Sequence, residues 1–260
     1  MGKDSCSPGL SSITRFFQKA QSLASCIEPL FETRCTSCAA PVSAQRAALG
    51  SLPPLCSVCA TSLARREAGF CSRCGNIMES RNAIPTVCGV CLQAERPWDR
   101  FYFHGEYKDL LRDLLLRLKN RQELSLAPLL GGLLEANPAL SGPYDAVIPL
   151  PLHEKRLRER GFNQALELAK PVAVRLGSPI ERTILFRTGH TLPQAGLSLK
   201  ERKANVLRAF ATRKKLTGKR VLLVDDIATT CASVEAASHV LREAGAASVD
   251  VAVVARTPEH

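Results

Sequence analysis

Apolar and polar positions alternate differently in the two parts of this chain, and the change falls near residue 98. From Phe101 onward, short apolar runs are separated by amphipathic stretches. The runs YDAVIPLPL (144–152), RVLLVDD (220–226) and SVDVAVVAR (248–256) are nearly continuous in apolar residues. Runs of this kind are typical of strands buried on both faces of a sheet. The pattern therefore predicts at least three central strands.

Amphipathic helices are predicted between these strands. Residues 101–121 indicate a short strand, a turn and a helix, and a second helix is expected over 125–136. Another helix is expected to begin near Asn163, and a last one runs from about Ser233 to Ala244, with Gly245 as its C-cap. Strands that alternate with helices predict an α/β domain with a mainly parallel, doubly wound sheet, over residues 98–260. Ligands bind such sheets beyond the carboxyl ends of the strands.

Residues 32–97 form a different module that is defined by its cysteines. Four CxxC pairs are present: Cys35 and Cys38, Cys56 and Cys59, Cys71 and Cys74, and Cys88 and Cys91. Zinc takes four thiolates in a tetrahedron, and a CxxC turn supplies two of them. Seventeen residues separate the first two pairs and thirteen separate the last two, which favours sequential pairing. A cross-braced arrangement, first with third and second with fourth, stays open. Either way, we expect up to two structural zinc ions in a double zinc ribbon.

Residues 1–31 form a separate N-terminal segment. The apolar spacing from Ile13 to Phe31 predicts an amphipathic helix, which packs on its own domain or, as the alternative, contacts a membrane surface. No apolar run reaches eighteen residues and no secretory core is visible, so we expect no transmembrane helix and no signal peptide. Eleven cysteines without a signal peptide favour metal binding in a reducing compartment, and we expect a cytoplasmic protein.

The net charge of +11 narrows the class of partner. A basic balance of this size favours polyanions, either nucleic acid or a phosphorylated small molecule. Aromatic residues make up only 5% of the chain, which argues against an extended stacking platform for single strands.

The end of one predicted strand carries the chemistry of a candidate site. Asp225 and Asp226 follow an apolar run, and Thr229, Thr230 and Ser233 follow them just before a predicted helix. A helix N-terminus favours a phosphate, and carboxylates accept hydrogen bonds from sugar hydroxyls. A phosphorylated ribose satisfies both. The structural alternative is that Asp226 caps a turn and the threonines cap the helix.

At these residues the chain resembles a known family. VLLVDDIATTCAS (221–233) resembles the ribose-phosphate-binding motif of type I phosphoribosyltransferases. The four CxxC pairs, IPLPLHEKRLRERGFNQ (148–164) and LPQAGLSLKERKANVLRAF (192–210) resemble the ComF/GntX group within that fold. The resemblance implies a type I phosphoribosyltransferase fold with a small N-terminal zinc-ribbon module, in which each zinc ion is held by four cysteines.

The resemblance also implies a site for phosphoribosyl pyrophosphate (PRPP) with Mg²⁺. Asp225 and Asp226 would be the catalytic pair that contacts the ribose hydroxyls. The remaining substrate-binding residues that it implies are Ala228, Thr229, Thr230, Cys231, Ala232 and Ser233 for the 5′-phosphate, Leu150 and Pro151 for the pyrophosphate, Arg160 after that loop, and Arg202 in a mobile lid. The reaction would be the transfer of phosphoribose to an acceptor with release of pyrophosphate.

Two positions depart from the family pattern. Cys231 stands where the motif has glycine, so either the turn tolerates the thiol or the site binds PRPP poorly. Thr229 stands where purine-salvage relatives carry an aspartate, which argues against a purine base as acceptor. His104, His153 and His190 invite a catalytic interpretation, but a structural role is favoured for a lone histidine; His153, next to the predicted pyrophosphate loop, is the best catalytic candidate of the three.

Two classes of function follow. The first is a PRPP-dependent transferase, linked through the resemblance to DNA uptake or utilisation, with single-stranded DNA or the DNA-uptake machinery as a partner. The second is a catalytically weak or inactive member that acts as a nucleic-acid-binding or protein-binding module. The acceptor and the oligomeric state are not specified by the sequence.

Overall fold

The computed structural model of the chain describes residues 33–42, 52–78, 83–188 and 209–258. Six strands lie in these ranges: β1 (Arg100–Glu106), β2 (Ala146–Pro149), β3 (Leu185–Arg187), β4 (Phe210–Thr212), β5 (Arg220–Ala228) and β6 (Ser248–Arg256). Four of them form a parallel sheet in the order β1-β6-β5-β2. The predicted strands and their parallel arrangement are confirmed.

Seven helices accompany the strands in the described part of the chain: α1 (Ser57–Ser62), α2 (Gly89–Gln93), α3 (Asp109–Arg121), α4 (Ala127–Glu135), α5 (Glu154–Arg160), α6 (Gln164–Leu176) and α7 (Ala232–Glu243). The second predicted helix begins two residues later than expected, because a 3-10 turn over Leu124–Leu126 precedes it. The last predicted helix begins at Ala232, and Gly245 follows it with a positive φ.

Each central strand directs alternate side chains to opposite faces of the sheet, and each face has its own cover. Leu222 and Val224 of β5 pack with α3, α4 and α6 on one face. Val221 and Leu223 pack with α7 and the β3–β4 hairpin on the other. The sheet is therefore covered on both faces, as the doubly wound prediction required.

The β3–β4 hairpin was not predicted. Leu185 pairs with Thr212, and Arg187 pairs with Phe210, in an antiparallel ladder. The predicted lid over 192–210 lies almost entirely outside the described residues. The hairpin pairs the residues just before that segment with those just after it.

Helices α4 and α6 approach closely at a glycine. A Cβ atom on Gly131 would lie 2.4 Å from Pro171 Cγ and 2.7 Å from the Leu168 carbonyl oxygen. Glycine is therefore required where α4 and α6 cross, and these two helices cover one face of the sheet.

The cysteine module lies against the α/β domain at two places. The first half contacts α3, where Arg117 Nη1 donates to the Ser37 carbonyl oxygen over 2.8 Å. The second half packs into the main core, where Cys71, Cys74 and Cys91 join Phe101 and Phe103 of β1. The predicted helix over residues 13–31 lies outside the described residues. In the described ranges, no helix combines the length and apolarity that a membrane crossing needs.

Candidate functional site

The eight paired cysteines form two separate quartets. Cys35, Cys38, Cys56 and Cys59 make the first, and Cys71, Cys74, Cys88 and Cys91 make the second, with all sulfur atoms of a quartet within 4.8 Å of one another. The sequential pairing is confirmed, and the cross-braced alternative is wrong.

The spacing of the sulfur atoms matches a four-thiolate metal site. The Sγ atoms of Cys38 and Cys56 lie 3.7 Å apart, as do those of Cys74 and Cys88. A tetrahedron with zinc–sulfur bonds of about 2.3 Å places its sulfur atoms roughly 3.8 Å apart. The residues therefore fit zinc, and each quartet fills all four positions.

The thiols of the second quartet affect one another's ionisation. A hydrogen bond with the Cys74 side chain, with further ones from the backbone amides of Cys88 and Arg73, lowers the pKa of Cys71 to about 4. The same contact with Cys71 raises the pKa of Cys74, and burial adds to the rise. Neighbouring thiolates repel one another, and a divalent cation between them removes that repulsion.

A second cluster of functional side chains lies at the carboxyl end of β5. Asp225 and Asp226 are adjacent there and both are buried. Asp225 Oδ1 accepts from the amide of Asp226 over 2.9 Å, and Asp226 Oδ1 accepts from the amide of Ile227 over 2.7 Å. Burial raises the pKa of Asp225 well above its usual range, and the charge of Asp226 raises it further. The two carboxylates are therefore held in place by backbone donors.

Lys119 is a site residue that the sequence did not reveal. Because side chains alternate along β5, Asp226 points toward the face covered by α3, and its Oδ2 lies 2.6 Å from Lys119 Nζ. This lysine is the eleventh residue of α3, among other charged residues that the amphipathic pattern assigns to solvent. Its role follows only from how α3 packs against the sheet.

Arg187 is a second residue that the sequence analysis missed. It lies at the end of β3, with its guanidinium carbon 5.4 Å from the centre of the Phe210 ring. Burial lowers its pKa, the charge of Arg156 lowers it further, and Asp225 acts in the opposite direction. Arg187 Nε is buried without a hydrogen-bond partner among the described residues. A basic group therefore lies near Asp225 on the face opposite Lys119.

The turn after the carboxylates leads directly into α7. Thr229 and Thr230 are exposed, whereas Cys231 is buried and caps α7 in the left-handed conformation, with φ of 59°. Its thiol is directed at the Cys74 carbonyl oxygen, 4.0 Å away, and not toward the exposed threonines. Ala232 and Ser233 open the first turn of α7, where backbone N–H groups lack helical acceptors. The structure therefore combines the glycine-like backbone with a thiol that is turned inward.

The predicted pyrophosphate loop lies beside this turn. Leu150 follows β2, its amide donates to the Val224 carbonyl oxygen of β5 over 2.8 Å, and its own carbonyl accepts from Asn163 Nδ2 over 3.0 Å. Pro151 comes next and is half-buried. The neighbouring strands β2 and β5 thus bring this loop and the carboxylate pair to one edge of the sheet.

The predicted basic residues divide between described and undescribed parts of the chain. Arg160 is the last residue of α5 and half-buried, while Arg158 pairs with Glu154 over 3.1 Å on the surface. Arg202 lies outside the described residues, as does His190.

Two of the three histidines have structural roles. His153 Nδ1 accepts from the Lys155 amide over 3.2 Å and so caps α5. His104 is buried, with its ring nitrogens 2.7 Å and 3.2 Å from the carbonyl oxygens of Leu63 and Leu133. Burial lowers the pKa of His104.

A parallel sheet with paired carboxylates before a helix N-terminus defines the class: a type I phosphoribosyltransferase-like domain, here joined to a module with two four-cysteine clusters whose geometry fits a metal ion. A family model described as a phosphoribosyl transferase domain matches residues 163–260. A solved allosteric regulatory enzyme of purine biosynthesis is 24% identical over 48% of this chain and 24% of its own, with a TM-score of 0.32, which is too weak a likeness to support a conclusion.

Curated relatives cover far more of the chain. The DNA utilization protein YhgH of Salmonella typhi is 34% identical over 209 residues, which is 78% of this chain and 90% of that protein. Competence protein F of Haemophilus influenzae is 32% identical over 212 residues, with the same coverage of both chains. The protein therefore belongs to the ComF/GntX family of type I phosphoribosyltransferase-like proteins.

Proposed function

We propose that this protein binds PRPP together with Mg²⁺ and transfers the phosphoribosyl group to an acceptor, with release of pyrophosphate. The observation that carries the proposal is the position of Asp225 and Asp226. They lie at the carboxyl end of β5, directly before the turn into α7 and beside the Leu150 loop that follows β2. This arrangement offers acceptors for a sugar diol next to donors for a phosphate.

Each part of PRPP has a matching group. The two ribose hydroxyls donate hydrogen bonds to the carboxylates of Asp225 and Asp226. The 5′-phosphate accepts from backbone amides over Ala228–Ser233 and from the hydroxyls of Thr229, Thr230 and Ser233, and the dipole of α7 adds to this attraction. Leu150, Pro151 and Arg160 border the pyrophosphate. Arg202, which the family resemblance assigns to a lid, lies outside the described residues.

The reaction is a substitution at C1′ of the ribose. The bond between C1′ and the pyrophosphate oxygen breaks, pyrophosphate leaves with the electron pair, the acceptor atom bonds to C1′, and its proton passes to solvent. Positive charge grows on the sugar in the transition state, and negative charge grows on the leaving group. Positioning and electrostatic stabilisation by fixed groups are the main contributions that the chain can make.

Magnesium would supply charge neutralisation on the pyrophosphate oxygens. It prefers oxygen ligands and keeps several waters, so the substrate provides much of its coordination, and Asp225 and Asp226 are the carboxylates in reach of the same ligand. Lys119 already neutralises Asp226 over 2.6 Å and so limits repulsion within the carboxylate pair.

The role in the cell is proposed from the relatives. Two of them are named for DNA utilization and for competence, and this chain covers 90% of each. The inferred setting is the uptake or utilisation of DNA in the cytoplasm, a reducing compartment in which the cysteine quartets retain zinc.

The transferase proposal predicts that PRPP with Mg²⁺ raises the melting temperature of the unmodified protein. At about 100 times the dissociation constant, a ligand stabilises the folded state by roughly 2.7 kcal/mol. Because the Cys231 thiol is directed at Cys74, Cys231→Gly is expected to show a shift of similar size. Differential scanning fluorimetry with ribose as the control ligand makes the measurement. A shift confined to Cys231→Gly would show that the thiol blocks the site, and no shift in either would overturn the proposal.

The second candidate function is a nucleic-acid-binding module, which the net charge of +11 favours. It predicts that affinity for single-stranded DNA falls steeply as salt rises, because each neutralised phosphate releases counterions. Fluorescence anisotropy with a labelled oligonucleotide tests this between about 50 and 200 mM salt. Across that range, a protein that makes six to ten phosphate contacts loses about 10³–10⁵ in affinity. An affinity that does not change with salt would contradict it.

A further inference from the structure

Arg256 is buried where the sheet, the phosphate-binding turn and the second cysteine quartet meet. It is the last residue of β6, and none of its surface is exposed. Its Nη1 donates to the carbonyl oxygens of Ala228, over 3.1 Å, and Thr257, over 2.9 Å, and also contacts that of Thr229. Its Nε donates to the carbonyl oxygen of Cys74 over 3.1 Å. One guanidinium thus joins the turn that follows the carboxylates to a cysteine of the quartet.

Two further contacts join the same two regions. The Cys231 thiol lies 4.0 Å from the Cys74 carbonyl oxygen that Arg256 contacts. Arg96 Nε donates to Cys91 Sγ over 3.3 Å, while its Nη1 forms an ion pair over 2.7 Å with Glu235 in the first turn of α7. The quartet is therefore in direct contact with the capping residue Cys231 and is linked to the turn through Arg256 and to α7 through Arg96.

We infer that Arg256 is a positioning residue, which transmits the geometry of the second cysteine quartet to the phosphate-binding turn over Ala228–Cys231. The inference deepens the proposed function and rests on it, since the turn is the proposed site of the 5′-phosphate. Arg256 itself is placed behind the turn, where its donors face carbonyl oxygens and not the solvent side on which a phosphate would lie.

The physical reason is the fixed fork of the guanidinium. Its donors diverge in one plane, so the carbonyls of Cys74, Ala228 and Thr229 can be satisfied together only in one relative arrangement. A metal in the quartet sets the conformation of the Cys71–Cys74 turn and with it the direction of the Cys74 carbonyl. Leaving a buried charged donor without its acceptor is costly, so the quartet and the phosphate-binding turn share one favoured arrangement.

The first test replaces Arg256 by lysine and, separately, by glutamine. Lysine replaces the planar fork with a single ammonium, and glutamine is shorter, so neither can make all of these hydrogen bonds at once. We therefore expect amide hydrogen exchange over Ala228–Glu235 to accelerate at least about tenfold. The zinc content should remain at that of the unmodified protein, because no quartet ligand changes. Arg242→Lys is the matched control, since Arg242 also donates to backbone carbonyls but at the far end of α7. Unchanged exchange over Ala228–Glu235 in the folded Arg256 variants would overturn the inference.

The second test leaves Arg256 unchanged and so does not depend on how Arg256 substitutions fold. Coupling between two sites is reciprocal, so a ligand at the phosphate-binding turn must strengthen metal retention in the second quartet. We expect PRPP with Mg²⁺ to slow zinc release to a chromogenic chelator severalfold in one of two kinetic phases. Cys38→Ser, which disables the first quartet, identifies the phase that belongs to the second.

The two tests also separate this inference from the proposed function. Calorimetry that shows no PRPP binding to the unmodified protein would overturn the transferase proposal, while the exchange comparison would still decide the role of Arg256. Binding of PRPP with no change in either zinc-release phase would overturn the coupling and leave the transferase proposal standing.

Discussion

Cys91→Ser is expected to remove the second metal ion and most of the free energy of unfolding of the α/β domain. Cys91 is fully buried in the main core, together with Cys71, Cys74 and the β1 residues Phe101 and Phe103. Structural zinc sites contribute an apparent 10–16 kcal/mol or so, whereas whole domains are stable by only about 5–15 kcal/mol. Loss of one thiolate in such a position therefore leaves little margin for folding.

Cys38→Ser is the matched control in the first quartet. Cys38 is exposed, and among the described residues its quartet is associated with a small buried cluster of Cys35, Val42 and Cys59. We expect this variant to lose one metal ion but to retain a cooperative urea transition of the α/β domain. Zinc per chain by mass spectrometry and urea unfolding followed by Trp98 fluorescence make the comparison. Equal destabilisation by the two changes would contradict the view that the second quartet is part of the main core.

The parts of the site that could be predicted are those in which chemistry follows directly from local sequence. An apolar run that ends in Asp225 and Asp226 and precedes a helical pattern locates them at the carboxyl end of a strand. The spacings between CxxC pairs favoured sequential quartets for a similar reason, since ligands for one ion come from nearby turns. In both cases the residues that act together are close along the chain.

The residues that could not be predicted act across long separations in the sequence. Lys119 belongs by pattern to a solvated helix face, yet the packing of α3 brings it to Asp226. Arg256 ends an apolar strand, and nothing in its neighbourhood indicates contacts with Cys74, which lies 182 positions away. The buried cysteines of the second quartet, together with Trp98, join the main core, which the spacing of the CxxC pairs does not indicate.

Alternation along β5 also gives the two adjacent carboxylates opposite surroundings. Asp226 forms an ion pair with Lys119 on one face of the sheet. Asp225 lies on the other face, toward the β3 residue Arg187, and burial lowers the pKa of that arginine. Substitutions at the two positions should therefore differ in their effect on stability, although both are proposed to contact the same ribose.

Asp225→Asn is expected to raise the melting temperature of the ligand-free protein at pH 8 and to abolish its stabilisation by PRPP with Mg²⁺. Burial, followed by the charge of Asp226, raises the pKa of Asp225 well above its usual range, so the folded state holds this proton more tightly than the unfolded state. The contribution of Asp225 to stability is then fully present below the unfolded pKa of about 3.9 and is lost as pH rises through the folded pKa. Asparagine keeps the shape without the buried charge, while it loses a carboxylate acceptor for a ribose hydroxyl.

Scanning calorimetry at pH 5 and pH 8, with and without the ligand, separates the two effects. The stability gain of Asp225→Asn should shrink toward pH 5, and each kcal/mol should appear as a shift of about 2–4 °C in a domain of this size. Asp226→Asn is the matched comparison, because it leaves the half-buried Lys119 without its ionic partner. Breaking a fully buried pair costs about 3–5 kcal/mol, which is an upper bound for this change. Its melting temperature should fall while its PRPP response is also lost. If both variants lost stability equally at pH 8, both carboxylates would stabilise the folded protein. The prediction that the buried charge of Asp225 lowers the stability of the ligand-free protein would then be wrong.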